Sequence, residues 1–184
     1  MSRVRGFEVV SKYEGQGISL PRRQTVASAG YDLEAARDIT IPSIWKMKLI
    51  KIFWMIKNRH QLIENDLMDA EAALKPVLVP TGIKAYMPAD EVLILANRSS
   101  NTYKRNLSLP NGIGVIDSDY YDNPSNEGEI FVQLLNYGVR DLHIKKGERI
   151  AQAIFVPYLK SDDDEPVDNQ RMAGFGSTGK EGNK

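Results

Sequence analysis

No cysteine occurs in the 184 residues, which removes disulfides, thiolate zinc sites and cysteine nucleophiles together and fits a reducing compartment. Histidine is nearly as scarce: His60 and His143 are the only two, too few for a histidine-rich metal site. Net charge is missing as well, since 24 Lys and Arg balance 24 Asp and Glu. Nothing global therefore suits a nucleic acid or a membrane surface, and any polyanionic ligand has to be met locally. No apolar run reaches the roughly 18 residues of a membrane span, and the opening "MSRVRGFEVVSKYEG" lacks the apolar core of a signal peptide. The expectation is a soluble, cytoplasmic protein.

What is present is a series of short apolar or alternating runs bounded by Gly, Pro, Asn and Asp: "GFEVV", "KPVLVPTG", "EVLILAN", "EIFVQLLNYG" and "RIAQAIFVPYL". Runs of this length and spacing predict an all-β fold, a barrel or jelly roll. The length suits one domain, taken as residues 1–158. Ser43 to Lys75 interrupts the pattern. Its second half, "QLIENDLMDAEAALK", repeats Ile63, Leu67, Ala70 and Leu74 at helical spacing. Its first half mixes lysines with Trp45, Phe53 and Trp54 and fits a helix or a strand. Residues 159–170 read as an acidic linker. Residues 171–184 form a glycine-rich tail in which Arg171 and Phe175 suggest ordering by a ligand.

Five short segments have the residue types that a nucleoside triphosphate needs. In "AGYDLEAA", Asp32 follows a Gly-Tyr turn and taken alone reads as a strand with one turn carboxylate. In "ANRSSNTYKR", Arg98, Ser99 and Ser100 follow an apolar strand, and a planar guanidinium with hydroxyl donors suits a phosphate. The third, "LPNGIGVIDSDYY", runs an apolar lead into Asp117, Asp119 and Tyr120. The fourth, "KKGERIAQAIF", holds Gln152 in a strand-like alternation, where a lone Gln is ordinarily polar surface. The last, "RMAGFGSTG", resembles phosphate-cradling loops but is no Walker loop, lacking the four-residue gap and the strand-to-helix context.

In order and wording these segments resemble the five motifs of the trimeric dUTPase family, across Ala29 to Asp38, Val79 to Tyr120, Gly128 to Tyr158 and Arg171 to Gly179. The resemblance implies a jelly-roll-like β-barrel, assembled as a homotrimer whose sites are shared between subunits, that cleaves dUTP to dUMP and pyrophosphate with Mg2+. It makes Asp117 the general base and gives Asp32 a water of the metal. It places Arg98, Ser99, Ser100 and Gln152 on the phosphates. Asn111 and the backbone of Gly114, Val115 and Ile116 would read uracil, with Phe131 a weaker backbone contact. Tyr120 would pack beneath the deoxyribose and leave no room for a 2′-hydroxyl. In the tail, Phe175 would stack on uracil, Gly174 and Gly176 would admit the phosphates, and Arg171, Ser177 and Thr178 would hold the γ end of a closing lid. Asp119 is left a turn or ion-pairing role.

The chain departs from the family pattern at Asn97, where proline is usual, and at Ala173, where glycine is usual. Two inserts depart further, Ser43 to Lys75 and Tyr121 to Asn126. Two other functions stay open. A dCTP deaminase shares the fold and uses a glutamate, for which Glu127 or Glu129 would stand. A binding or regulatory module would use the longer insert as a surface for a protein partner. The plainer expectation for that insert is packing over its own barrel or at the subunit contact, because its aromatics need burial.

Overall fold

In the computed structural model, residues 3–60 and 63–165 are described. The strands are β1 (Gly6–Val9), β2 (Tyr31–Glu34), β3 (Ile39–Ile41), β4 (Val77–Pro80), β5 (Ile83–Tyr86), β6 (Glu91–Ala96), β7 (Leu107–Ser108), β8 (Gly114–Asp117), β9 (Phe131–Asn136), β10 (Leu142–Ile144) and β11 (Arg149–Pro157). The helices are α1 (Met47–Lys57), α2 (Glu64–Leu74) and α3 (Ser99–Arg105). All strand pairs are antiparallel, in a four-stranded sheet ordered β2-β11-β6-β8, a three-stranded sheet β4-β9-β7, and the pairs β1-β5 and β3-β10. The all-β expectation holds.

Alternation explains the core. Ile130, Val132 and Leu134 are fully buried at every second position, facing Val79, Leu33, Ile144 and Ile150 from other strands. Truncating one of these side chains to Ala costs about 2–5 kcal/mol. At one flank, Phe7, Tyr31 and Phe155 pack as a tilted aromatic trio with centroids 5.2–6.0 Å apart. Asn136, 1% exposed, donates to the carbonyls of Ile41 (3.1 Å) and Arg140 (2.8 Å) and accepts from the Gly138 amide (2.9 Å), pinning the turn after β9 against β3.

The long insert is a pair of 11-residue helices. Its first half takes the helical alternative, and the helix expected in the second half is found. Leu49, Ile52 and Ala70 bury against one another with Ile44, a satellite apart from the barrel core. The insert is rooted at its base. Ser43 donates from its amide to Asp141 (2.7 Å) and from its hydroxyl to the Gly138 carbonyl (2.6 Å), and the Trp45 indole donates to the Tyr137 carbonyl (2.9 Å). Within the protomer the aromatics of the insert are only partly covered: Trp45, Phe53 and Trp54 are 42%, 55% and 57% exposed. Of the helically spaced set in α2 only Ala70 is buried, while Ile63, Leu67 and Leu74 are exposed. Neither helix has a side-chain N-cap, so helices this short depend on contacts rather than on their own ends.

Candidate active site

β6 carries the chain to Ala96, and Asn97 and Arg98 turn it into α3. The usual proline is absent, yet the corner is fixed by side-chain bonds. Asn97 donates to Thr102 (3.2 Å) and to the Leu107 carbonyl (3.1 Å), and its amide oxygen accepts from Asn101 (2.9 Å). Asn101, fully buried, also donates to the Ile150 carbonyl (2.7 Å), tying the corner to β11. Hydrogen bonds here replace the rigidity a pyrrolidine ring would supply.

From this corner Arg98 reaches Asp32 on β2. Its Nε lies 3.1 Å from one carboxylate oxygen, and its Nη1 donates to the Arg149 carbonyl (3.2 Å). Arg149 holds the other oxygen at 3.2 Å. Asp32, 9% exposed, is thus gripped by two guanidiniums, and the trio carries a net positive charge. Gln152 on β11 stands in register with Asp32 and donates to the Asn97 carbonyl (3.3 Å). Gly30 leaves room beside it, because a Cβ there would lie 2.6 Å from the Gln152 amide oxygen and displace that side chain. Asp32, Arg98, Ser99, Ser100, Arg149 and Gln152, with Gln24, Ser28 and Gly30, line one cavity of about 280 Å³.

Three of the five motifs therefore converge in a single protomer. Arg149 is the member that sequence reasoning missed. It stands three residues before Gln152, and strict alternation would put the two on opposite faces; a register shift between Arg149 and Ala151 brings both into the cavity. Among the described residues no group of three or more His, Cys, Asp or Glu is placed to hold a metal ion. The donor set suits a cation carried by phosphate oxygens, with one carboxylate outside its inner ligands.

The third motif lies elsewhere. β8 is the edge strand of the four-stranded sheet, so its outer backbone edge faces away from β6. Gly114 allows close approach, since a Cβ there would lie 3.0 Å from Leu95. Asn111 is exposed in the turn before β8, and Asp117, half-buried, ends the strand. Ser118–Tyr120 form a 3-10 turn that buries Tyr120 to 5% exposure. Phe131 starts β9, half-buried, with the Lys12 ammonium 5.8 Å from its ring centroid.

Register decides what these residues can do together. Asp117 pairs with Val92, near the start of β6, whereas Ala96 at its far end pairs with Gln152. Val92 and Arg98 are six positions apart, which on an extended strand is about 20 Å. The structure brings Asp32, Arg98, Ser99, Ser100 and Gln152 together and leaves Asp117 and Tyr120 at the other end of the sheet, while Asn111, three residues before the Gly114 that pairs with Leu95, lies toward the Ala96 end. Arg171, Gly174, Phe175, Gly176, Ser177 and Thr178 lie outside the described residues.

A family model described as dUTPase matches residues 68–179. The deoxyuridine 5′-triphosphate nucleotidohydrolase of Lactococcus lactis is 43% identical over 178 residues, covering 96% of this chain and 99% of that one. That of Brucella melitensis biotype 2 is 30% identical over 175 residues, covering 93% and 91%. Among solved structures, the dUTPase of Streptococcus mutans aligns with a TM-score of 0.66 at 39% identity, covering 85% of this chain and 98% of that one. A dUTPase variant from phage phi11 of S. aureus, described for its coordination of a structural Mg(II) ion, shares the fold at a TM-score of 0.58 and 14% identity, covering 91% of this chain and 98% of that one.

Proposed function

Since the chain belongs to the dUTPase family, we propose that it hydrolyses dUTP to dUMP and pyrophosphate, with Asp117 activating the attacking water. The observation that carries this reading is the cavity where Asp32, Arg98, Ser99, Ser100 and Gln152 meet, a cationic, donor-rich pocket of the kind a triphosphate requires. Asp117 takes the proton as the water oxygen bonds to the α-phosphorus and the bond from that phosphorus to the bridging oxygen breaks. Arg98, Gln152 and the tail's Arg171 steady the charge that builds on the phosphate oxygens. Asp32 is the residue that would hold Mg2+, through water, and the ion would supply charge neutralisation at those oxygens. Asn111 and the open edge of β8 read the base, with Phe131 beside them, and Tyr120 packs against the sugar.

Because Asp117 and Arg98 sit at opposite ends of β6, a working site needs Asp117 from one protomer and the phosphate cavity from another. This supports a homotrimer with shared sites. The tail, with Gly174, Phe175, Gly176, Ser177 and Thr178, closes each site beyond the 159–170 linker and the 1–158 domain. A cytoplasmic location is part of this proposal; no described helix is long and apolar enough to cross a membrane. The deaminase alternative loses its candidates. Glu129 is fully buried, ion-paired with Lys12 and bonded by the Gly82 amide, and Glu127 is bound by Ser11 and Lys84.

Pyrophosphate release from dUTP, with and without Mg2+, tests the reading beside dCTP as control. Release from dUTP that vanishes in Asp117→Asn supports it; ammonia from dCTP refutes it. The exposed face of the helical insert supports an additional role as a protein-binding surface. Deleting Ser43 to Lys75 without change in assembly, stability or turnover would favour that role over a structural one.

A further inference from the structure

The short insert, Tyr121 to Asn126, is no slack connection between β8 and β9. It is built around Tyr120. The Tyr120 hydroxyl donates to the Glu129 carbonyl (3.0 Å) and accepts from the Asn126 side-chain amide (2.9 Å), so both its bonding capacities are used. Asn126 is itself oriented, because its amide oxygen accepts from Asn123 (2.8 Å) and from the Gly128 amide (3.1 Å). Asn123, 4% exposed, donates to the Tyr120 carbonyl (2.9 Å), and its oxygen accepts from the amide (3.1 Å) and hydroxyl (2.8 Å) of Ser125.

The loop also holds unusual backbone. Asp122 and Glu127 adopt φ of 54° and 57°. Both are tied down from outside the loop, Asp122 by Lys84 and Glu127 by Ser11 and Lys84. Gly128 has φ 79°, and a Cβ there would lie 2.5 Å from the Tyr120 carbonyl. Strained residues persist where surrounding contacts over-determine them, and such strain clusters at functional positions.

We propose that Asn126 is a positioning residue that sets discrimination against ribonucleotides, by holding Tyr120 so that its ring cannot withdraw from a 2′-hydroxyl. The inference rests on Tyr120 being the ring that meets the sugar. A ring fixed at its hydroxyl end excludes the extra oxygen by its position, whereas a ring able to tilt admits it. The site is thus selective for a deoxyribonucleoside triphosphate partly through a loop that touches no substrate.

The test is the ratio of kcat/KM for dUTP to that for UTP, with Tm followed for every variant. Asn126→Ala and Tyr120→Phe both remove the Asn126–Tyr120 hydrogen bond; the first also removes the bonds from Asn123 and Gly128, and the second the bond to the Glu129 carbonyl. Each is expected to lower the ratio about tenfold, mainly through faster UTP turnover, and the double variant no further than either alone. Should Asn126→Ala fail to fold, Asn126→Asp carries the test, since it keeps the acceptor oxygen that Asn123 and the Gly128 amide use and removes the amide donor to Tyr120. Tyr120→Leu separates the two claims. If it leaves the ratio unchanged, the sugar-facing assignment of Tyr120 falls. If it collapses the ratio while Asn126→Ala and Tyr120→Phe preserve it, Asn126 does not position the ring and the inference is overturned.

Discussion

The two ends of β6 differ in how much of their chemistry one protomer completes. At the Ala96 end, Asp32, Arg98 and Arg149 already touch one another, and Gln152 bonds the Asn97 carbonyl beside them, across three strands and a helix corner. At the Val92 end, Asp117 closes an edge strand, and its neighbours are a buried tyrosine and a wired loop. Binding polyphosphate needs cations held against their mutual repulsion, and a central carboxylate between two arginines supplies that within a single chain. Reading a base needs an open backbone edge, which an edge strand offers only while no other strand covers it. One end is therefore preassembled and the other is exposed for use.

The strongest way to break this contrast is to disable each end in a different chain. Asp117→Asn and Arg98→Ala are each expected to lose about 10²–10⁴ in kcat, the range of a general base or a key electrostatic group. Refolding the two inactive variants together should restore measurable dUTP turnover, because some sites then draw both intact halves from different chains. No recovery in the mixture would mean that the halves belong to one protomer. A smaller effect is expected at the preassembled end from Arg149→Gln. It leaves Asp32 with one guanidinium partner, and steady-state kinetics should show KM for dUTP raised about fivefold to tenfold, with less change in kcat.

Gly30→Ala sharpens the contrast by steric means alone. The added methyl displaces the Gln152 amide, and KM is expected to rise about threefold with Tm nearly unchanged, since the amide is the movable partner. The smallest effect is acidic and belongs to the other end. Hydrogen bonds from the Ser11 hydroxyl and amide hold the Glu127 carboxyl below its usual range. A depressed carboxyl stabilises the folded state above its unfolded value of about 4.3, and that stabilisation is lost as pH falls through the folded value. Amide protection in the Tyr121 to Gly128 loop, measured relative to the intrinsic exchange rate, should accordingly fall below about pH 4 in the native protein, and Glu127→Gln should abolish the pH step.

Much of this was legible in residue order. The barrel strands announce themselves through alternation, as at Ile130, Val132 and Leu134, because burial on one face of a pleated strand leaves that imprint directly. The cavity-lining residues Asp32, Arg98 and Gln152 were also legible, through motif wording rather than periodicity. α3 was not, since "SSNTYKR" has no apolar stripe and its place is fixed by Asn97 and Asn101 bonding to distant carbonyls. Arg149 was hidden by a bulge that no local pattern marks. In the long insert, helical spacing identified α2 but not its surroundings: periodicity says which side chains share a face, and nothing about what covers them. The Asn123 and Asn126 network was invisible for a similar reason, as "DNPSN" reads as an ordinary turn until its amides are seen converging on Tyr120.

The length of β6 carries one more consequence, for the bench rather than the active site. In the proposed shared site, a strand that keeps Asp117 some 20 Å from Arg98 would make each catalytic centre a product of association, so specific activity would obey mass action. Turnover per chain should stay constant at high protein concentration and fall steeply once dilution passes the dissociation constant of the assembly, while the barrel of each separated chain keeps its secondary structure. An enzyme assayed at picomolar dilution would then look inactive without a single residue being out of place.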